Sequence, residues 1–315
     1  MMRAAEAEKK QSVPAAIAVE ANLSLAAAHF AANIFQFFVL PLYFLPASRW
    51  WALLLLPLAA LNNPFWSLMH ESIHDLFHPS RRVNRAMGRA LSIFFGAPFL
   101  VLRLSHLLHH KLNRSLIEAT EVYAPEKTSR GRAAFGYFAN ILGGLYLLEL
   151  ASPLMFFLPR AVLRRMEKKY FMGADLPGNL MRSLMRDSAV REMRLDGILV
   201  LVLFGASVVC YGTNWPFLAA ALAARAFLIS FLDNVYHYDT PIGDTFYARN
   251  LSLPPAFSAG LLHFNLHGVH HRNPSIPWAG LPEAFEREAS RMHGGYFTAA
   301  LAQLHGPIPL AKLSR

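Results

Sequence analysis

The sequence predicts an all-α integral membrane protein: four transmembrane helices in two hairpins, interfacial or re-entrant helices, and a cytosolic histidine-box cap. Three observations carry this expectation. Apolar residues make up 54% of the 315 residues, charged residues only 16%, and mean hydropathy is +0.29, whereas ordinary globular domains carry about 25% charged residues. Four apolar runs are long enough to enter a bilayer, and Lys and Arg crowd at one end of them. Histidine occurs fourteen times and gathers at that same end. A disordered chain, a disulfide scaffold (Cys210 is the single cysteine) and a nucleic-acid-binding protein are all excluded. The net charge of +10 reads instead as cytoplasmic Lys and Arg beside anionic headgroups.

The first run, Leu23 to Leu45, exceeds a signal-peptide core and follows the mixed-charge Met1–Lys10, so it reads as an uncleaved span. His29, Asn33 and Gln36 fall at i, i+4 and i+7 and put one polar stripe on it, which should face the bundle as a packing seam or line a substrate path. Pro46–Arg49 links it to a second run from Trp50-Trp51, an interfacial pair, to Met69. The second hairpin is Gly197–Tyr211 and Trp215–Leu232, joined by Gly212-Thr213-Asn214. Charge orients both. Arg81, Arg82, Arg85 and Arg89 follow the second span, and Arg160, Arg164, Arg165, Lys168, Lys169, Arg182, Arg186, Arg191 and Arg194 precede the third, whereas the outer turns hold only Arg49. Hairpin ends therefore belong in the cytoplasm. Ala134–Leu158 is apolar enough for a fifth span, yet basic segments flank it on both sides; it reads as re-entrant or interfacial, with Leu91–Leu104 a shorter counterpart. The whole chain, 1–315, forms one domain, with a core of about 62–282 and cytosolic tails at 1–20 and 283–315.

Three histidine boxes follow: His70-Glu-Ser-Ile-His74, His106-Leu-Leu-His109-His110 and His267-Gly-Val-His270-His271. Residues at i, i+3 and i+4 share a helix face, so each box aims imidazoles from one side of one turn. At this histidine content about 0.03 HxxHH motifs are expected by chance; two occur. Eight imidazoles exceed the demand of one metal, and two metals fit better. An all-nitrogen shell suits iron, copper or zinc. Every box lies at a span's cytoplasmic end or between interfacial segments, where a headgroup can arrive from water while its tail stays in hydrocarbon.

At these residues the chain resembles the membrane fatty acid desaturase superfamily, whose signature is HxxxH, HxxHH and HxxHH in this order. Asn265-Leu-His267, Pro274, Pro277-Trp278 and Leu281-Pro282 are similar to the surroundings of its third box. The resemblance implies a non-haem di-iron centre that uses O2 and two electrons on a lipid. It makes His70, His74, His106, His109, His110, His267, His270 and His271 iron ligands, adds His237 at the end of the fourth span, and offers Asn234 or Asn265 to complete the shell. Glu71, His78 and His263 are further candidates for ligation or for support of the ligands, and Asp75, Asp239 and Glu118 for orienting ring N–H groups. Arg225, costly inside a span, should pair with Glu149 or Asp233 or bind a substrate carboxylate.

The activity implied is desaturation of a fatty acyl chain. Hydroxylation or oxidative decarboxylation of a lipid, alkane or carotenoid would use a similar centre. No GxGxxG fingerprint follows a strand, so electrons should come from a separate ferredoxin, rubredoxin or cytochrome-type donor. One rival is a membrane zinc protease: His70-Glu71-Ser-Ile-His74 also reads HExxH, with Glu71 as base and Asp196 as distant ligand, although this leaves both HxxHH boxes idle. A metal transporter would spread its ligands through the membrane depth.

Overall fold

The computed structural model describes residues 16–170 and 184–313, so Met1–Lys10 and Arg182 lie outside the described residues. It is helical almost throughout; the described strands are only β1 (Val122–Tyr123) and β2 (Ile308–Pro309), paired in parallel. Four helical stretches are long and apolar enough to cross a membrane: α1 (Val19–Phe44), α2 (Arg49–Ile73), Arg130–Leu154 and Asp187–Tyr236.

The first two form a hairpin whose turn exposes Trp50 and Trp51. Pro41 sits in a π-helical stretch of α1, Phe35–Phe44, whose wider turns accommodate a residue without an N–H. The 50-residue stretch would be about 75 Å long if straight, more than twice a bilayer's hydrocarbon thickness. It breaks at Gly212, with φ 50° and ψ −123°. Tyr211 and Leu218, on either side of that break, pack in one cluster, so the stretch folds back. It divides as the sequence predicts.

Between α2 and Arg130–Leu154 come α3 (Arg81–Phe95) and α4 (Phe99–Leu112), bent by 98°. Gly96 turns the corner with a left-handed φ of 109°, a conformation cheap only for glycine. α5 (Arg130–Leu154) is long and apolar enough to cross a membrane, but it is not a straight helix. Gly143, at φ 140°, kinks it against Ala226. α6 (Arg160–Tyr170) follows, and then the hairpin arms α7 (Asp187–Tyr211) and α8 (Trp215–Asp233). At one end of α5 the Tyr137 hydroxyl donates to the Gln303 carbonyl, and Gln303 donates to the carbonyl of Phe231 near the end of α8. Just beyond its other end, Phe157 lies beside Gly197, and Arg194 donates to the Leu158 carbonyl near the start of α7. Both ends of the segment therefore meet the same end of the α7–α8 hairpin, as a re-entrant segment does.

The polar stripe of α1 is buried as expected: His29, Asn33 and Gln36 line a cavity of about 10 Å³ with Asn62 and Arg225. Arg225 corrects the sequence reading. Its Nε and Nη2 donate to Asn62 Oδ1 at 3.0 and 2.7 Å, and no ion pair to Glu149 or Asp233 is formed among the described residues. The cavity beside it has room for about one water, not for the carboxylate of a lipid.

Residues beyond 283 are built into the fold. Tyr296, Ala299 and Ala300 join the main core, buried Gln303 binds Asn234 at 2.7 Å, and β2 pairs with β1.

Candidate metal centre

The boxes sit where helices end. His70 lies in the last turn of α2 and His74 caps it. The turn beyond is pinned by Asn84 of α3, which donates to the Ser72 carbonyl at 2.8 Å and accepts from the Phe77 N–H at 3.1 Å. Asp75, held at a positive φ of 62°, takes a two-pronged ion pair from Arg103 of α4. His106, His109 and His110 occupy the last two turns of α4, and His237 ends the short helical turn after α8. The third box forms α9 (His267–Arg272). Its start is fixed by Asn250, whose side chain accepts from the Val269 N–H at 3.1 Å.

Nine imidazoles from these four places sort into two groups. His70, His74, His106, His110 and His270 form one; His109, His237, His267 and His271 form the other. Within a group every candidate ligand atom lies within 4.8 Å of the rest. In the first, His106 Nε2 meets Nε2 of His70 at 2.8 Å, of His74 at 3.0 Å and of His110 at 3.0 Å, and His270 Nε2 meets that of His110 at 3.0 Å. In the second, Nε2 of His267 and His271 are 3.1 Å apart.

A neutral imidazole carries one N–H, so the three contacts of His106 Nε2 cannot all be hydrogen bonds. Lone pairs converge there, and a cation at their focus removes the repulsion. The spacing is informative too. With a metal–nitrogen bond of about 2.1 Å, ligands at right angles stand about 3.0 Å apart and tetrahedral ones about 3.4 Å. The closest contacts, 2.8–3.1 Å, are short enough for nitrogens that share one ion, within groups whose ligand atoms all lie within 4.8 Å of one another.

Protonation favours ligation as well. Burial, together with the positive charge that each neighbouring imidazole would add, holds His267, His270 and His271 well below the usual histidine range. These rings are neutral at pH 7, the form that binds metal. His74 is lowered to about 4, chiefly by burial. A base whose pKa falls on folding leaves the unfolded chain binding more protons, so the metal-free fold should lose stability as pH drops from about 6.5 towards 4. Thermal melts of chelator-treated protein between pH 8 and 4 check this; a flat profile would contradict it.

Support for the rings comes partly from acidic neighbours. Glu118 accepts from His109 Nδ1 at 3.0 Å and fixes that ring. Asp75 binds Arg103 and Asn84, and Asp239 faces Arg249 at 4.0 Å, so neither orients a box histidine. Glu71, His78 and His263 are engaged elsewhere and belong to neither group. Glu71, buried, accepts the Trp278 N–H at 3.2 Å; His78 Nδ1 accepts the Ser80 N–H; His263 pairs with Ser258. Asn265 links Ser258 to the Leu251 carbonyl, and Asn234 is held by Gln303 beside a cavity of about 210 Å³ against the second group. Asn84, Arg103 and Asn250 do essential scaffolding and carry no signal in the sequence: a lone Asn or Arg has no spacing to betray it.

Bilayer-length apolar helices and two polyhistidine groups, each able to hold a metal ion, are together the features of a membrane protein of the histidine-box type. The chain belongs to the fatty acid desaturase family: the family model described as "Fatty acid desaturase" matches residues 48–300. It is also similar to the Delta(12)-fatty-acid desaturase FAD2 of Vernicia fordii, at 28% identity over 126 residues, which is 40% of this chain. That match spans about a third (32%) of the relative's length.

Proposed function

We propose that the two histidine groups hold a pair of iron ions and that the protein uses O2 and two electrons to introduce a double bond into a fatty acyl chain. The observation that carries this reading is the sorting of nine imidazoles into two adjacent groups, the ligand atoms of each within 4.8 Å of one another, in a chain of the desaturase family. Bound there, iron supplies the O2 activation needed to remove hydrogen from an unreactive C–H bond. The protein's own part is to hold neutral rings, to orient His109 through Glu118, and to keep His70, His237, His267, His270 and His271 buried from water. The basic box side supports a cytoplasmic placement. Exposed Arg160, Arg164, Arg165 and Lys168 of α6 offer a face for a separate acidic electron donor of ferredoxin, rubredoxin or cytochrome type.

Purified protein should contain about two irons per chain, and cells expressing it should gain an O2-dependent unsaturated lipid visible by mass spectrometry. One zinc per chain together with peptide cleavage would overturn the proposal. The protease alternative has little to stand on: Asp196 is held by Arg89 at 2.5–2.9 Å outside both groups, and Glu71 is turned to the Trp278 amide. Glu71→Gln keeps an acceptor for that amide, so turnover should fall by less than about tenfold, whereas a general base would cost about 10²-fold or more. Steady-state rates of the two forms decide between them.

A further inference from the structure

At the end of the bundle away from the histidines, the starts of α2 and α8 leave a groove of about 430 Å³ between them. Leu53 and Leu56 line it from one helix and Phe217 from the other, and Ala220, Ala221 and Ala224, with nothing beyond Cβ, leave the space. With a methylene taken as the size of a water, about 30 Å³ in the liquid, about fourteen fit, close to one acyl chain. From Phe217 to Ala224 the wall rises about 10 Å, most of the depth of one leaflet of a bilayer. Arg49, at the mouth, stands about 30 Å from His70 along α2, the full hydrocarbon thickness. A chain in the groove therefore lies in the leaflet away from the histidine groups, outside their reach.

Only two lining side chains are polar, Arg49 and Trp50, and both donate hydrogen bonds and accept none. Exposed Trp50 and Trp51 form an interfacial pair, which sets Arg49 at headgroup depth. Arg49 is the one Lys, Arg, Asp or Glu between Leu23 and Met69, and none lies between Gly197 and Ala224. No ion pair engages it among the described residues. A phosphate oxygen satisfies such a mouth, whereas the ammonium of a zwitterionic headgroup finds no carboxylate there. A second copy of the chain is the competing occupant, since alanines four apart also let helices approach closely. A two-fold pair, however, would face the groove with itself and bring two Arg49 side chains together without a counter-charge. We propose that the groove binds one phospholipid with a net negative headgroup of the phosphatidylglycerol kind, its phosphate on Arg49 and one acyl chain along the alanines of α8. The site is separate from the histidine groups and does not rest on the di-iron reading.

The test is native mass spectrometry of the full chain, released from detergent micelles that contain equal amounts of dioleoyl phosphatidylglycerol and dioleoyl phosphatidylcholine. The original chain should retain one more phosphatidylglycerol than Arg49→Gln, and that one molecule should be preferred over phosphatidylcholine about tenfold or more, as a charge-assisted hydrogen bond implies. Lipids held by the exposed arginines of α3 and α6 at the other end are common to both forms and cancel in the difference. Arg49→Lys should keep the extra molecule. Ala220→Leu with Ala224→Leu, which fills the groove, should lose it, and iron content should be equal in all forms because the histidines are a bilayer's thickness away. Equal phosphatidylglycerol counts in the original chain and Arg49→Gln would overturn the proposal, and that comparison stands even if the leucine variant does not fold. So would an extra lipid that is phosphatidylcholine as often as phosphatidylglycerol, or a dimer in place of the lipid that the leucine pair abolishes.

Discussion

His237→Ala should lower bound iron from about two per chain to about one and abolish desaturation. The second group has four imidazoles, one fewer than the first, and His237 is the one that no box supplies. It ends a short helical turn, is 9% exposed, and stands with its ring 4.7 Å from that of His109 and 5.1 Å from that of His267. Alanine leaves three nitrogens and an opening to the cavity, and the affected iron is the one nearest to it. The rate loss should exceed the about 10- to 100-fold that follows removal of a residue merely supporting a ligand. His70→Ala removes one of five and should empty the other position. His78→Ala, whose ring serves only the Ser80 amide, should keep both irons. Metal analysis of the three variants checks the division into groups; unchanged iron in His237→Ala would refute it.

Arg114→Met should destabilise the protein by about 3–5 kcal/mol, the usual consequence of stranding a buried charge. Arg114 and Glu121 are 2% and 1% exposed and pair at 2.8 Å, and the arginine also gathers the Thr240 and Pro241 carbonyls. This cross-link ties the loop after the second box to the loop after His237. Glu118 lies on the former, so His109 should lose its orientation and iron affinity should fall with stability. Glu121→Met in the same chain removes the stranded carboxylate and should recover much of the loss. Melting temperatures of the single and double variants give the answer, and a loss below about 1 kcal/mol for the single change would place the pair among weak surface bridges.

The histidine pattern makes the centre legible in the amino-acid sequence, because two or three ligands per turn must repeat at helical spacing. His237 is legible only through resemblance, since a single histidine after a span has no periodicity of its own. Apolar runs locate both hairpins, and flanking charge suggests that Ala134–Leu158 returns to its own side, which the contacts of Tyr137 and Phe157 bear out. What stays hidden depends on tertiary contact. A buried arginine invites a carboxylate partner, yet Arg225 pairs with Asn62, 163 residues away. Likewise the tail beyond 283 is polar enough to pass for a loose appendage, yet Gln303 and Ile308 reach back to Phe231 and Glu121.

That late return has a bearing on biogenesis. The β1–β2 pair and the Gln303–Asn234 bond brace the two loops that flank His109 and His237, and both braces come from positions 303–309. While the ribosome still holds those positions, the neighbouring imidazoles have no fixed frame. Iron loading of the second group should therefore follow emergence of positions 303–309 from the ribosome, and nascent chains stalled before position 303 should insert into the membrane yet carry less metal.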